Sequence, residues 1–238
     1  MTELVFLKDA YQTTRTARVL SSSADGIVLD ESLFYATGGG QPGDSGRLTW
    51  DGGETVIDTC RKGDCGSELV PAEGADLPDV GAQVTQEINW KTRYGYMKIH
   101  TALHLLSVVI PLGVTGGSIG ADKGRLDFLL PEPPADKQAI EDQLNALIDA
   151  DHVVHESSMS REDLAAKPEL VKTLSVQPPE GAGPVRLVIV GEGESPIDLQ
   201  PCGGTHVART GEIGRVRIGK IENKGKSNRR VNIHLVDT

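Results

Sequence analysis

Residues 94–111, YGYMKIHTALHLLSVVIP, divide the chain into two kinds of sequence. Ile99, Ala102, Leu103, Leu106 and Ile110 recur at the spacing of one helix face, and Pro111 ends the run. Before this stretch, short alternating segments lie between turn clusters. After it, helical and strand patterns mix. Within the predicted helix, His100 and His104 stand four residues apart. That spacing sets both imidazoles on one face, one turn apart, where they can grip a single metal ion.

Upstream, Thr16–Ser21 and Gly26–Glu31 alternate around Ala24-Asp25-Gly26, which predicts a hairpin. Gly46–Trp50 and Thr55–Thr59 flank Asp51-Gly52-Gly53 and predict a second, and Lys62–Ser67 is a third turn cluster. Strands this short and this regularly spaced point to a small β-barrel over residues 1–88. The glycine-rich segment at 38–46, within Phe34–Gly46, interrupts the pattern. It lacks the Gly-Lys-Ser/Thr ending of a phosphate-binding P-loop. It is either a flexible loop or a backbone bared for close approach to a ligand. Local features favour the loop.

Downstream, residues 113–120 read as a glycine-rich connection and Arg125–Leu130 as a strand. The Pro131–Pro134 cluster ends that strand, with Pro134 suited to the first turn of the next helix. Ile140, Leu144, Leu147 and Ile148 mark that helix as packed along one face. Ser160 with Asp163 predicts the cap of a short helix. Val185–Val190 reads as a buried strand, and Arg215–Glu222 with Arg229–Leu235 as a hairpin around Asn223–Asn228. The fold class is therefore α+β, with a barrel domain over 1–88. A second domain over 89–238 packs helices on an antiparallel sheet.

The net charge is −10, but it is unevenly spread. Residues 1–88 hold six Lys/Arg against fifteen Asp/Glu, whereas residues 209–230 hold eight against two. No apolar run approaches the ~20 residues of a membrane helix, and the start has no signal-peptide pattern. The expectation is a cytoplasmic protein. Three cysteines, an odd number, argue against a disulfide framework. Cys60 and Cys65 read as plain thiols of a hairpin. His152, His155 and His234 lack partner motifs and read as structural.

The third cysteine differs. Cys202 and His206 are again four apart, in Gln200-Pro201-Cys202-Gly203-Gly204-Thr205-His206, with glycines that let the backbone turn. Thiolate and imidazole together suit zinc. One His pair alone is commonly incidental; two pairs leave less room for coincidence. Thr101 stands where a zincin protease carries its glutamate base, so that chemistry is excluded. Hydrolysis here needs a water activated by metal, by a neighbouring side chain or by the substrate.

His100-Thr101-Ala102-Leu103-His104-Leu105-Leu106 and Cys202-Gly203-Gly204-Thr205-His206-Val207 resemble the paired motifs of the editing domain shared by alanyl- and threonyl-tRNA synthetases. Gly38-Gly39-Gly40-Gln41-Pro42-Gly43-Asp44-Ser45-Gly46 and Thr210-Gly211-Glu212-Ile213-Gly214 resemble the alanyl branch, in matching order. The chain has no room for an aminoacylation domain. It is identified as a member of the free-standing alanyl-tRNA editing proteins, the AlaX family, in its medium-length form.

The resemblance implies ATP-independent hydrolysis of the ester joining a wrong amino acid to alanine tRNA, seryl-tRNA first and glycyl-tRNA second. A pocket sized for alanine rejects glycine and serine poorly, so a second site must sort them. It also implies one zinc ion on His100, His104 and Cys202. His206 is either the fourth ligand or a close partner that leaves a position open. Thr101, His104, Arg125 and Asp127 are the residues expected at the ester. Thr101 either contacts the serine hydroxyl or bonds back to its own helix. Arg125 and Asp127 share a strand face and are either pocket residues or ordinary cross-strand surface. Gly38, Gly39, Gly40, Gln41, Lys224, Lys226, Arg229 and Arg230 are expected to meet the tRNA. Two other readings fit: a zinc-stapled tRNA-binding module without catalysis, and a metal-dependent hydrolase of small esters. Nothing in the sequence fixes the oligomeric state.

Overall fold

A computed structural model describes residues 2–132, 136–173, 183–193 and 195–236; Pro134 lies outside them. The chain divides into two compact units, Met1–Tyr94 and Gly95–Thr238.

The first unit is a closed six-stranded antiparallel barrel. Its strands are β1 (Thr14–Ser23), β2 (Gly26–Leu29), β3 (Gly46–Trp50), β4 (Gly53–Gly63), β5 (Gly66–Pro71) and β6 (Gln83–Ile88). They close in the order β1-β2-β5-β4-β3-β6. Alternation along each strand sends Val19, Ile27, Leu29, Leu48, Ile57, Leu69 and Val84 inward, where Phe34 and Cys60 fill the remaining volume. Closure leaves no unpaired strand edge within the barrel.

The glycine-rich segment is packed against this barrel rather than hanging free, which corrects the flexible-loop expectation. A Cβ on Gly43 would lie 2.0 Å from the Cys60 carbonyl oxygen, and one on Gly46 would lie 2.1 Å from that of Glu87. Gly39 and Gly40 take positive φ in the turn between Gly38 and Gln41, a region open to glycine at no steric cost. Asp44 accepts a hydrogen bond from Tyr35 N and an ion pair from Arg93, both groups buried. We expect Gly43→Ala to destabilise the protein by about 2 kcal/mol or more, because the clash is with backbone. A denaturant midpoint unchanged from wild type would refute that packing.

Helix α1 (Trp90–Val109) starts earlier than the apolar stripe predicts. In the second unit every residue from Ile99 to Ser107 is buried, not one face alone, as for a helix enclosed on all sides. Strands β7 (Val114–Ile119) and β8 (Lys123–Leu129) lie close to it. A Cβ on Gly124 would sit 2.5 Å from Ile99, and one on Gly95 would sit 2.3 Å from the Ala121 carbonyl. β7 replaces the connection expected at 113–120. Gly116 and Gly117 hide the strand signal, since glycine is depleted in strands.

Helix α2 (Lys137–Asp149) buries Ile140, Leu144 and Ile148. It is followed by β9 (Val154–Met159) and α3 (Arg161–Ala165), whose cap is Ser160 accepting from Asp163 N. Then come β10 (Val185–Val190), β11 (Asp198–Pro201), β12 (Val216–Asn223) and β13 (Asn228–Leu235). Two antiparallel sheets result, β12-β13-β8-β7 and β9-β10-β11. The edge of β12 is covered: Asn145 of α2 donates to Val216 O and accepts from Val216 N, and Glu141 accepts from Ile218 N. Covering an edge in this way removes a template for aggregation. The fold is α+β.

Candidate metal centre

Four donors converge in the second unit. His100 and His104 come from the enclosed part of α1. Cys202 and His206 come from the loop that leaves β11. Their ligand atoms all lie within 4.8 Å of one another. Cys202 Sγ is 3.4 Å from His100 Nε2 and 3.3 Å from His206 Nε2. The three histidines are 6–8% exposed, so water screens the donors little. Three imidazoles and a thiolate in this spacing fit a tetrahedral zinc ion.

Neighbours bear on which nitrogen two of the rings, His206 and His104, offer. Thr101 Oγ1 donates to Met97 O at 2.9 Å, so its lone pairs face outward from that bond. His206 Nδ1 lies 3.1 Å from the same oxygen and must donate to it. That leaves the Nε2 lone pair toward Cys202. His104 Nδ1 lies 3.0 Å from Asp198 Oδ2, which leaves its Nε2 for the cluster. Arg186 of β10 donates to the carbonyls of Cys202 and Gly204 at 2.6 and 3.0 Å and holds the loop closed.

Charge follows the same design. Burial would raise the Cys202 thiol, but His100 and His206 and a hydrogen bond from His100 outweigh it and hold the group well below its ordinary value. Burial, reinforced by repulsion from His100, pushes His206 down to about 3, so its ring is neutral. Burial also opposes the charged form of His104, yet hydrogen bonds to Asp198 and Cys202 raise it to about 9. A metal ion binding here displaces whatever proton the donors carry.

Thr101 is fully buried and makes the back-bond to its own helix. It also accepts from Val207 N at 3.3 Å. Thr101→Val should therefore strand two donors, costing about 1–3 kcal/mol and lowering metal affinity about 10-fold. Equal affinity in a chelator titration would show that the hydroxyl does not orient His206.

Arg125, Asp127 and Arg230 form a group of their own on the other sheet. Asp127 accepts from Arg125 at 2.7 Å and from two nitrogens of Arg230 at 2.8 and 2.9 Å. Hydrogen bonds from both arginines outweigh burial and hold its carboxyl below the usual range. Arg229 is bound into the hairpin turn through Asn223 Oδ1 and Gly225 O. Lys224 and Lys226 are exposed at the tip of that hairpin.

Comparison with known proteins accords with these motifs. The family model described as threonyl and alanyl tRNA synthetase second additional domain matches residues 185–232, and that of class II (A) tRNA synthetases matches 3–92. Alanyl-tRNA editing protein AlaX-M of Methanosarcina acetivorans is 37% identical over all of both chains. The chain belongs to the alanyl-tRNA editing protein AlaX-M family. Its relative from Saccharolobus solfataricus is 31% identical over 97% of this chain and 98% of its own. The alanine–tRNA ligase of Pyrobaculum calidifontis is 37% identical over 93% of this chain, which spans only 25% of that ligase.

Within this family chain, the Thr210–Gly214 motif has a structural task. Thr210 Oγ1 donates toward the last carbonyls of α2 and accepts from His152 N. A Cβ on Gly211 would meet the Asp151 carboxylate at 2.6 Å. Sequence reasoning did not find Asp198, Gln200, Lys172 or Arg186. Asp198, Gln200 and Cys202 are spaced by two on a strand and its exit, a signal that could have placed them on one face. Lys172 and Arg186 join the site only through tertiary folding.

Proposed function

We propose that this protein is a zinc-dependent aminoacyl-tRNA hydrolase that acts in trans on mischarged alanine tRNA, in the cytoplasm. Seryl-tRNA is its preferred substrate and glycyl-tRNA a second one. The observation that carries this reading is the buried His100, His104, Cys202, His206 cluster in a chain related end to end to alanyl-tRNA editing proteins. Bound there, zinc supplies a Lewis acid for the ester carbonyl and a means of lowering the pKa of water.

The protein's residues supply the rest. His100, His104 and Cys202 would hold the ion, with His206, its ring set by Thr101, either as fourth ligand or as a close partner that leaves a position open for water or the ester. Arg125 and Asp127 shape the strand beside the ester, with Arg230 keeping Asp127 ionised. Lys224 and Lys226 meet backbone phosphates, with Arg229 and Arg230 behind them. Gly38, Gly39, Gly40 and Gln41 form a turn whose backbone approaches the acceptor end. Phosphate contacts of this kind make binding fall with salt.

The test is initial deacylation rates on seryl-, glycyl- and alanyl-tRNA, alongside a small serine ester. Seryl-tRNA should be cleaved fastest and alanyl-tRNA spared. Binding of tRNA without turnover would favour a zinc-stapled binding module. Equal cleavage of the small ester would favour a general metal esterase.

A further inference from the structure

Behind His104 lies a buried polar group that none of the motifs contains. Asp198 is 2% exposed and takes donors from three side chains. Lys172 Nζ lies 2.5 Å from Oδ1, Gln200 Nε2 donates to Oδ2 at 2.7 Å, and His104 Nδ1 lies 3.0 Å from Oδ2. Lys172 is itself anchored: its carbonyl accepts from Val114 N at 2.9 Å, beside a parallel bridge between Val114 and Thr173.

Gln200 Nε2 also lies 3.1 Å from His104 Nδ1. Two side chains therefore compete for that nitrogen. If Nδ1 carries its proton, it donates to Asp198 and Nε2 is free to bind a metal. If Nδ1 is bare, it accepts from Gln200 and the ring proton sits on Nε2, where it blocks binding. We propose that the Lys172–Asp198 ion pair decides this competition, making both of them positioning residues that hold His104 in its metal-binding tautomer. The inference rests on the metal reading of the four-donor cluster. A carboxylate has acceptors for Lys172 and His104 together. An amide at 198 has one oxygen, which Lys172 takes, so its NH2 faces His104 Nδ1 and forces the wrong tautomer.

The experiment is zinc affinity by chelator competition, with 15N shifts of the His104 ring in metal-free protein at a pH above that at which the ring takes up a second proton. Asp198→Asn should bind zinc 10–100-fold more weakly and move the ring proton from Nδ1 to Nε2. Lys172→Met should lose about 10-fold and Lys172→Arg should recover most of it. The proposal is overturned if Asp198→Asn keeps wild-type affinity and tautomer. If Asp198→Asn does not fold, the Lys172 pair decides, since that side chain is 25% exposed; equal affinity in both Lys172 variants then overturns it. Wild-type protein that binds no zinc would overturn the metal reading as well, whereas zinc-loaded wild type with unaffected variants sinks the positioning role alone.

Discussion

Cys202→Ser is expected to lose zinc and to slow seryl-tRNA deacylation by at least about 100-fold. The reason is the donor, not the shape. A thiolate is a soft, charged ligand that zinc favours, while a serine hydroxyl stays protonated near neutral pH. Cys202 is held well below its ordinary pKa despite burial, chiefly by His100 and His206. Cys60 shows the opposite case: burial pushes its thiol up to about 12, so it stays protonated near neutral pH. Cys65 is exposed in the turn between β4 and β5. Cys65→Ser should therefore leave metal content and rate unchanged. Metal analysis and rate measured on one sample check both variants. Full zinc occupancy in Cys202→Ser would contradict the ligand assignment.

Arg93→Met should destabilise the protein by about 3–5 kcal/mol, the cost of leaving a buried charge without its partner. Both groups are out of solvent, with side-chain exposures of 0% and 2%. Arg93 donates through Nε to Asp44 at 2.9 Å, through NH1 to Ala10 O at 3.1 Å and through NH2 to Leu33 O at 2.7 Å. One guanidinium thus ties the glycine-rich segment to the chain before β1 and the chain after β2. Replacing both partners, Arg93→Met with Asp44→Leu, should recover part of the loss, because no charge then remains buried alone. Thermal and denaturant unfolding read the effect. A loss under 1 kcal/mol for the single variant would show that the pair is not what closes this segment.

Four of the six barrel strands, β1 to β4, were legible because they alternate and flank glycine-containing turns; β5 and β6 were not read. The helix around His100 was legible from Ile99, Leu103 and Leu106, though not its full enclosure. Strands β9 and β11 were not read. Val154–Met159 is mostly polar and lies along an edge, and Asp198–Pro201 is only four residues long. At the site, the two pairs at i, i+4 could be read because each is local in sequence. Their supporting partners could not. Asp198, Lys172 and Arg186 act across 94, 26 and 16 residues of separation to His104, Asp198 and Cys202. Charge pattern alone does not show that Arg230 pairs with Asp127 and Arg229 with its own turn.

One measurement bears most directly on the whole reading. Seryl-tRNA deacylation and zinc content are followed in the same preparation, before chelation, after it and after zinc is returned. The account predicts about one zinc per chain and turnover that disappears with the metal and returns with it. Turnover that persists in metal-free protein, or zinc-loaded protein that leaves seryl-tRNA intact, would contradict it.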